Sequence, residues 1–200
     1  MKLTTKILYS VLLLLPAVAS AQSVGIKTNL FYGGYTQTPN LGVEFGLGSR
    51  STLDIGAGYN PWNLDGKKDA NGVVYDNKKL VHVLGAIEYR YWLCERFNGH
   101  FFGVHGLGSQ YNVAEYELPL LFGEGSKGYR FEGWAAGAGI SYGYQFILGR
   151  SWNLEATVGF GFAVLQYDKY DCPKCGEFID RYRRDYIGPT RAGISLIYVF

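Results

Sequence analysis

Hydrophobic and polar residues alternate with a period of two along most of this chain, which is the side-chain period of a β-strand. The final stretch, 190–200, is the clearest case: Ala192, Ile194, Leu196, Tyr198 and Phe200 share one face, and Arg191, Gly193, Ser195, Ile197 and Val199 the other. A first strand sets Val24, Ile26, Thr28, Leu30 and Tyr32 against Gly25, Lys27, Asn29 and Phe31. A second opposes Leu41, Val43, Phe45 and Leu47 to Gly42, Glu44, Gly46 and Gly48, and a third opposes Leu53, Ile55, Ala57 and Tyr59 to Asp54, Gly56, Gly58 and Asn60. The fourth puts Val81, Val83, Ile87, Tyr89 and Tyr91 opposite His82, Ala86, Glu88, Arg90 and Trp92. The sixth, 134–148, alternates Trp, Ala, Ile, Tyr and Phe with Gly, Ser and Gln; the seventh, 152–164, opposes its apolar residues to Asn153, Glu155, Thr157, Gly159 and Gly161. The fifth, 100–113, keeps no single parity, and a bulge near Gly106 is expected there. With the terminal strand this makes eight, an all-β antiparallel fold.

The small and charged residues share the face opposite the apolar one. In a soluble sandwich the apolar face is the core face, and glycine would leave that core empty. An apolar outside and a narrow polar inside is instead the pattern of a transmembrane up-and-down β-barrel, and several runs are long enough for a tilted spanning strand. The connections agree: 48–51, 94–99 and 149–151 are short, while 65–78, 114–129 and 169–186 are long. Short turns on one side and longer loops on the other match outer-membrane barrels, with both termini periplasmic. Tyr32, Trp62, Tyr91, Trp134 and Trp152 fall near strand ends, where interfacial aromatic girdles belong.

The N-terminus gives the same compartment. Lys2 and Lys6 precede an apolar run at 7–18 and an Ala19-Ser20-Ala21 exit, so residues 1–21 read as a cleaved signal peptide and 22–200 as the barrel domain. The first cysteine is Cys94, so no lipid-anchoring cysteine follows the cleavage site. The formal charge of +2 is lost with the two leader lysines, and a neutral mature chain gives no support to a nucleic-acid partner. The 28 glycines in 200 residues are twice the usual ~7%. No mature apolar run approaches the ~18 residues of a membrane helix.

Inward-facing charges on this parity are Lys27, Glu44, Asp54, Glu88, Arg90, Glu155 and Arg191. Unpaired charge inside a narrow barrel is costly, so these residues are expected to pair into a network that fixes strand register. Eight strands leave room for side chains rather than a standing channel, and Trp92 and Phe31 on the same face point the same way, against the reading as a narrow pore. Cys172 and Cys175 form a Cys-x-x-Cys pair in the last long loop. A local disulfide is the expectation, with free or redox-variable thiols and half a zinc site as alternatives. No catalytic, cofactor or metal residue is assigned. Tyr198 and Phe200 make the aromatic end that barrel-assembly machinery reads. His105 and Ser109 share a face but stand about 13 Å apart along a strand, too far for a nucleophile and its base.

The runs Tyr59-Asn60-Pro61-Trp62, Tyr89-Arg90-Tyr91-Trp92-Leu93-Cys94 and Phe97-Asn98-Gly99-His100-Phe101-Phe102-Gly103 resemble the DUF3575 family, as do Gly133-Trp134, Trp152-Asn153-Leu154-Glu155 and Cys172-Pro173-Lys174-Cys175. The resemblance spans nearly the whole mature chain. It implies an outer-membrane barrel, similar to the eight-stranded OmpA-like membrane domain, from Bacteroides-type bacteria. Family genes often lie near fimbrial, surface-assembly genes. The expected function is therefore a structural or surface-interaction role: membrane integrity, adhesion or fimbria-associated assembly. It would act through the longer loops, above all 65–78 and 169–186. Outer-membrane lipid and lipopolysaccharide, the assembly machinery and a surface or fimbrial protein are the expected partners. An enzyme that modifies lipid A is the alternative.

Overall fold

The computed structural model describes residues 24–63, 67–68, 74–75, 78–171 and 176–200. Eight antiparallel strands form one closed barrel: β1 (Val24–Asn29), β2 (Asn40–Gly46), β3 (Ser51–Asn60), β6 (Lys79–Trp92), β7 (Gly99–Ala114), β8 (Arg130–Ile147), β9 (Trp152–Tyr170) and β10 (Phe178–Val199). The short strands β4 (Lys67–Lys68) and β5 (Val74–Tyr75) pair with each other outside it. Neighbours in sequence pair with one another, and β1 closes the ring against β10 through Gly25–Val199 to Asn29–Ser195. The expected eight-stranded antiparallel architecture is the observed one. No described helix is long and apolar enough to cross a membrane.

The wall rises like a staircase. The strands lengthen from 6 residues in β1 and 7 in β2, through 14 in β6 and 16 in β7, to 22 in β10. The start of β1, the end of β10 and the three short connections (47–50, 93–98 and 148–151) lie at one end, and the longer connections at the other.

Several expectations change. The first strand stops at Asn29, not Tyr32, because α1 (Leu30–Tyr35) follows it. The Asn29 side chain caps this helix by accepting from Phe31 N at 3.0 Å. The Asn40 side chain staples the strand end to β2, since Asn29 N donates to Asn40 Oδ1 at 2.6 Å and Asn40 Nδ2 donates to Asn29 O at 2.9 Å. Phe31 therefore leaves the interior face assigned to it and is 46% exposed. No bulge occurs at Gly106, where β7 pairs with β6 and β8 in unbroken register. The irregularities are in β10, between Phe178 and Asp180 and between Pro189 and Arg191. The second leaves Thr190 as an extra residue and puts Pro189, which lacks an N–H, at the break.

The stretch 169–186 is not a loop but mainly the upper part of the β9–β10 hairpin, with Arg181 opposite Asp168 and Tyr186 opposite Ala163. The 114–129 connection contains a one-turn helix, α2 (Pro119–Phe122). Cys172 and Cys175 lie outside the described residues, as does the leader through residue 23.

Candidate functional site

Register lines up acid against acid across the barrel wall. Glu44 of β2 stands opposite Asp54 of β3, and Asp54 stands opposite Glu88 of β6. Like charges directly opposite repel, so this row persists only with cations between its members. Arg90 lies two residues beyond Glu88 on the same inward face and supplies most of that compensation. Its Nε donates to Glu88 Oε2 at 2.5 Å, Nη1 to Glu44 Oε2 at 2.8 Å and to Glu155 Oε2 at 2.7 Å. Nη2 donates to Glu155 Oε1 at 3.0 Å and to Asp54 Oδ2 at 3.3 Å. Lys27 Nζ sits 2.7 Å from Asp54, 3.4 Å from Glu44 and 3.8 Å from Glu155. Arg191 Nη2 lies 2.7 Å from Asp54 and 3.4 Å from Glu88. All seven charges read as inward-facing thus meet in one cluster, and Arg90, Glu44 and Glu88 are 0% exposed.

Hydroxyls absent from that reading complete it. Thr52 donates to Glu44, Thr157 to Glu155 and Ser141 to Glu88. Each lies on the inward parity, and Thr52 and Thr157 stand two residues from Asp54 and Glu155, a signal the alternation already carried. His105, read only as a remote enzyme candidate, faces Glu88 from the next strand, and its Nε2 is 2.9 Å from Thr190 Oγ1. Ser109 donates instead to Val83 O at 2.9 Å, so His105 and Ser109 have separate partners and form no dyad.

Below the charges, at the short-turn end, the interior is sealed by rings. Trp92 packs on Phe101 with centroids 4.8 Å apart, Trp92 Nε1 donates to Thr52 at 3.0 Å, and the Arg90 guanidinium lies 4.4 Å over the Phe101 ring. Gly143 makes room for this packing, because a Cβ there would collide with the Phe101 ring.

Above the charges the interior changes character. Phe131, Ala163, Leu165 and Tyr167 form a buried apolar cluster. Phe122 of α2 turns down into it, stacking on Phe131 at 4.3 Å and meeting Tyr167 edge-on at 5.1 Å. This upper half escaped the sequence reading, which ended the seventh strand at Val164 and began the sixth at Trp134.

The outer wall is apolar all the way round, with Ile26, Leu41, Ile55, Ile87, Val104, Ile140, Phe160 and Ile194 exposed, one from each barrel strand. Ile140 is 69% and Val104 63% exposed. The outward positions of 81–91, 100–110, 134–146 and 152–164 include no Asp, Glu, Lys or Arg. Toward the short-turn end, aromatic side chains form a band: Tyr144 meets Phe146 at 4.5 Å, Trp152 meets Tyr198 at 5.1 Å, and Tyr198 meets Phe200 at 4.9 Å. Phe200 N donates to Val24 O, so the terminal aromatic is held at the closing seam. Cys94 is an exposed free thiol in the short turn 93–98.

A protein-family model described as "Protein of unknown function (DUF3575)" matches residues 7–200. No curated protein and no solved structure matches this chain.

Proposed function

The chain belongs to the DUF3575 family, whose function is unknown, and from that premise we propose that it is an outer-membrane β-barrel that serves as a rigid structural and surface-interaction scaffold. The observation that carries this reading is the inversion of the fold: an unbroken apolar outer wall around a fully charged centre. Water would leave that wall as an exposed patch far larger than the few hundred Å² a soluble monomer tolerates, whereas lipid removes the difficulty. The aromatic band at the short-turn end suits the membrane–water interface, and Tyr198 and Phe200 suit recognition by the assembly machinery. On this reading the leader is cleaved, the short turns are periplasmic, and the longer connections meet lipopolysaccharide and a surface or fimbrial protein. Recognition is assigned to those connections and to the projecting β9–β10 ribbon. The lipid-modifying alternative draws no support from His105 and Ser109, which engage different partners. The pore reading is set aside because Trp92, Arg90 and Phe101 fill the lumen.

The test is refolding of the mature chain in detergent, read by gel migration with and without boiling and by circular dichroism, beside the variant Ile140→Arg. A heat-modifiable β-rich band is expected. The arginine should cost about 2–4 kcal/mol in vesicles, as for a mid-bilayer lipid-facing site. A chain that folds in plain buffer, or an arginine tolerated within about 0.5 kcal/mol as on a watery surface, would overturn the proposal. The surface role is tested separately by shortening the ribbon at 169–186. A variant that folds but no longer supports adhesion or surface assembly is expected, and unchanged adhesion and assembly count against that role.

A further inference from the structure

Between the charged layer and the inserted turn of α2 lies a cavity of about 280 Å³ inside the barrel mouth. Its walls are inward residues of the tall strands, among them Leu107 and Val113 of β7, Ala135 of β8, and Ala163 and Leu165 of β9. Leu118, Leu121 and Phe122 roof it. That roof is fastened rather than draped. Leu118 N donates to Ser126 Oγ at 2.9 Å, Ser126 Oγ donates to Tyr116 O at 3.1 Å, and Arg184 Nη1 donates to Leu121 O at 3.3 Å. The cavity thus has fixed walls and a fixed lid.

Two features define what fits. Among the described residues no Asp, Glu, Lys or Arg lines the space, and the lining histidine, His82, has its Nε2 on Thr38 Oγ1 at 3.2 Å, so a charged group inside would lose its hydration without gaining a carboxylate, ammonium or guanidinium partner. The lining also includes residues with polar side chains, His82, Ser109, Tyr111 and Thr190. Tyr111 Oη is buried and has no hydrogen-bond partner among the described residues, and Thr190 Oγ1 meets His105 from the floor. A buried hydroxyl left unmatched is costly, and a ligand group of matching polarity removes that cost. An apolar cavity of ~150 Å³ is enough to bind benzene, so this space takes a ring with a short chain.

We propose that the barrel mouth is a binding site for a small uncharged hydrophobic molecule carrying one hydrogen-bonding group, of the size and polarity of a short-chain alkylphenol. The site lies inside the wall, so the inference goes beyond the scaffold role and does not depend on which partner the outer connections meet.

The test uses the refolded full mature chain in lipid nanodiscs with methyl-labelled Leu, Val, Ile and Ala, titrated with 4-propylphenol and, separately, with 4-propylbenzoate. Saturable shifts at Leu107, Val113 and Leu121 with the phenol, and none there with the carboxylate, are expected. Tyr111→Phe should weaken the phenol by about 2- to 12-fold, the worth of one hydrogen bond. Ala163→Phe should abolish the shifts by filling the space. Ala135→Leu serves the same purpose if the larger change lowers the heat-modifiable fraction. Shifts confined to outer-wall methyls such as Ile87, Val104 and Ile140 would mean partition into lipid and overturn the proposal. So would unchanged binding in both filled variants, or equal binding of the carboxylate. Failure of the chain to require lipid would instead strike at the membrane reading and leave the interior titration to be read in buffer.

Discussion

Replacing Arg90 by methionine tests the central electrostatic argument most directly, because it deletes the shared cation while keeping most of the volume. The guanidinium serves four carboxylates, and the loss is uneven. Asp54 keeps Lys27 at 2.7 Å and Arg191 at 2.7 Å, and Glu88 keeps Arg191 at 3.4 Å. Glu44 and Glu155 are left with Lys27 alone, at 3.4 and 3.8 Å, and with the hydroxyls of Thr52 and Thr157. Breaking a buried pair by removing one partner costs about 3–5 kcal/mol, and two stranded carboxylates place Arg90→Met at the upper end. Arg90→Lys keeps the charge but cannot span four acceptors with a planar fork, so its cost falls between wild type and methionine. Glu155→Gln in the Arg90→Met background removes one stranded charge, so the double variant should be more stable than the sum of the singles predicts by about 0.5–3 kcal/mol. The assay is urea unfolding from vesicles followed by tryptophan fluorescence, with heat-modifiability reporting the folded fraction. An Arg90→Met cost below about 1 kcal/mol, comparable to an exposed pair, would refute the claim that this cation holds the acids together. Strict additivity with Glu155→Gln would refute it as well.

Gly143→Ala forces a Cβ onto the Phe101 ring and should cost about 1–3 kcal/mol in the same unfolding assay, as overpacking does. Gly149→Ala, with nothing within 4 Å of the added carbon, should stay within about 0.5 kcal/mol. Deleting Thr190 removes the extra residue between Pro189 and Arg191 and leaves Tyr186 and Arg191 four positions apart, both still facing inward; the heat-modifiable band should persist, as it should in Thr190→Ser, which keeps the hydroxyl facing His105, and loss of the band on deletion would refute this register. At the exposed ribbon, two hydrogen bonds from Arg181 at 2.6 and 3.0 Å hold the Asp168 carboxyl below its usual range. A depressed folded-state pKa means its contribution is complete above the ordinary carboxylate value of about 3.9 and is lost as the pH falls through the folded value. Hydrogen exchange near 166–183 should accelerate on acidification in that window, and Asp168→Asn should abolish the dependence.

The fold was legible because lipid-type alternation leaves little ambiguity in residues such as Glu44, Asp54, Glu88 and Arg90, each alone among apolar or glycine neighbours of fixed parity. Position along the strand was less legible than parity. Leu30 and Tyr32 continue the alternation of β1, yet Asn29 caps a helix there, because a side-chain oxygen at the right phase overrides the pattern even though β10 runs on above Ser195. At the other extreme, 169–186 reads as a long mixed-charge loop, with Asp180, Arg181, Arg183, Arg184 and Asp185 close together. From Phe178 on it is strand because β9 offers a ladder opposite, unbroken from Asp180 to Pro189. Propensity saw the charges, and pairing decided the structure.

The bulge at Thr190 explains why the two halves of the lumen differ so sharply while sharing one wall. Below it, odd positions of β10 face inward, bringing Arg191, Ser195 and Ile197 to the charged layer and its base. Above it, even positions face inward, bringing Tyr186 toward Ala163 and Tyr182 onto Tyr167 with ring centroids 5.7 Å apart. Without the phase change, the parity that points Arg191 at Asp54 would send Asp185 and Ile187 into the mouth and leave Tyr186 outside. An isolated carboxylate would then lie in the apolar half, where the described lining residues include no Lys or Arg to pair with it. Held out of the ladder, Thr190 therefore lets a single strand serve a charged centre and an oily mouth. The His105–Thr190 contact, at the level where the phase changes, is the seam between them.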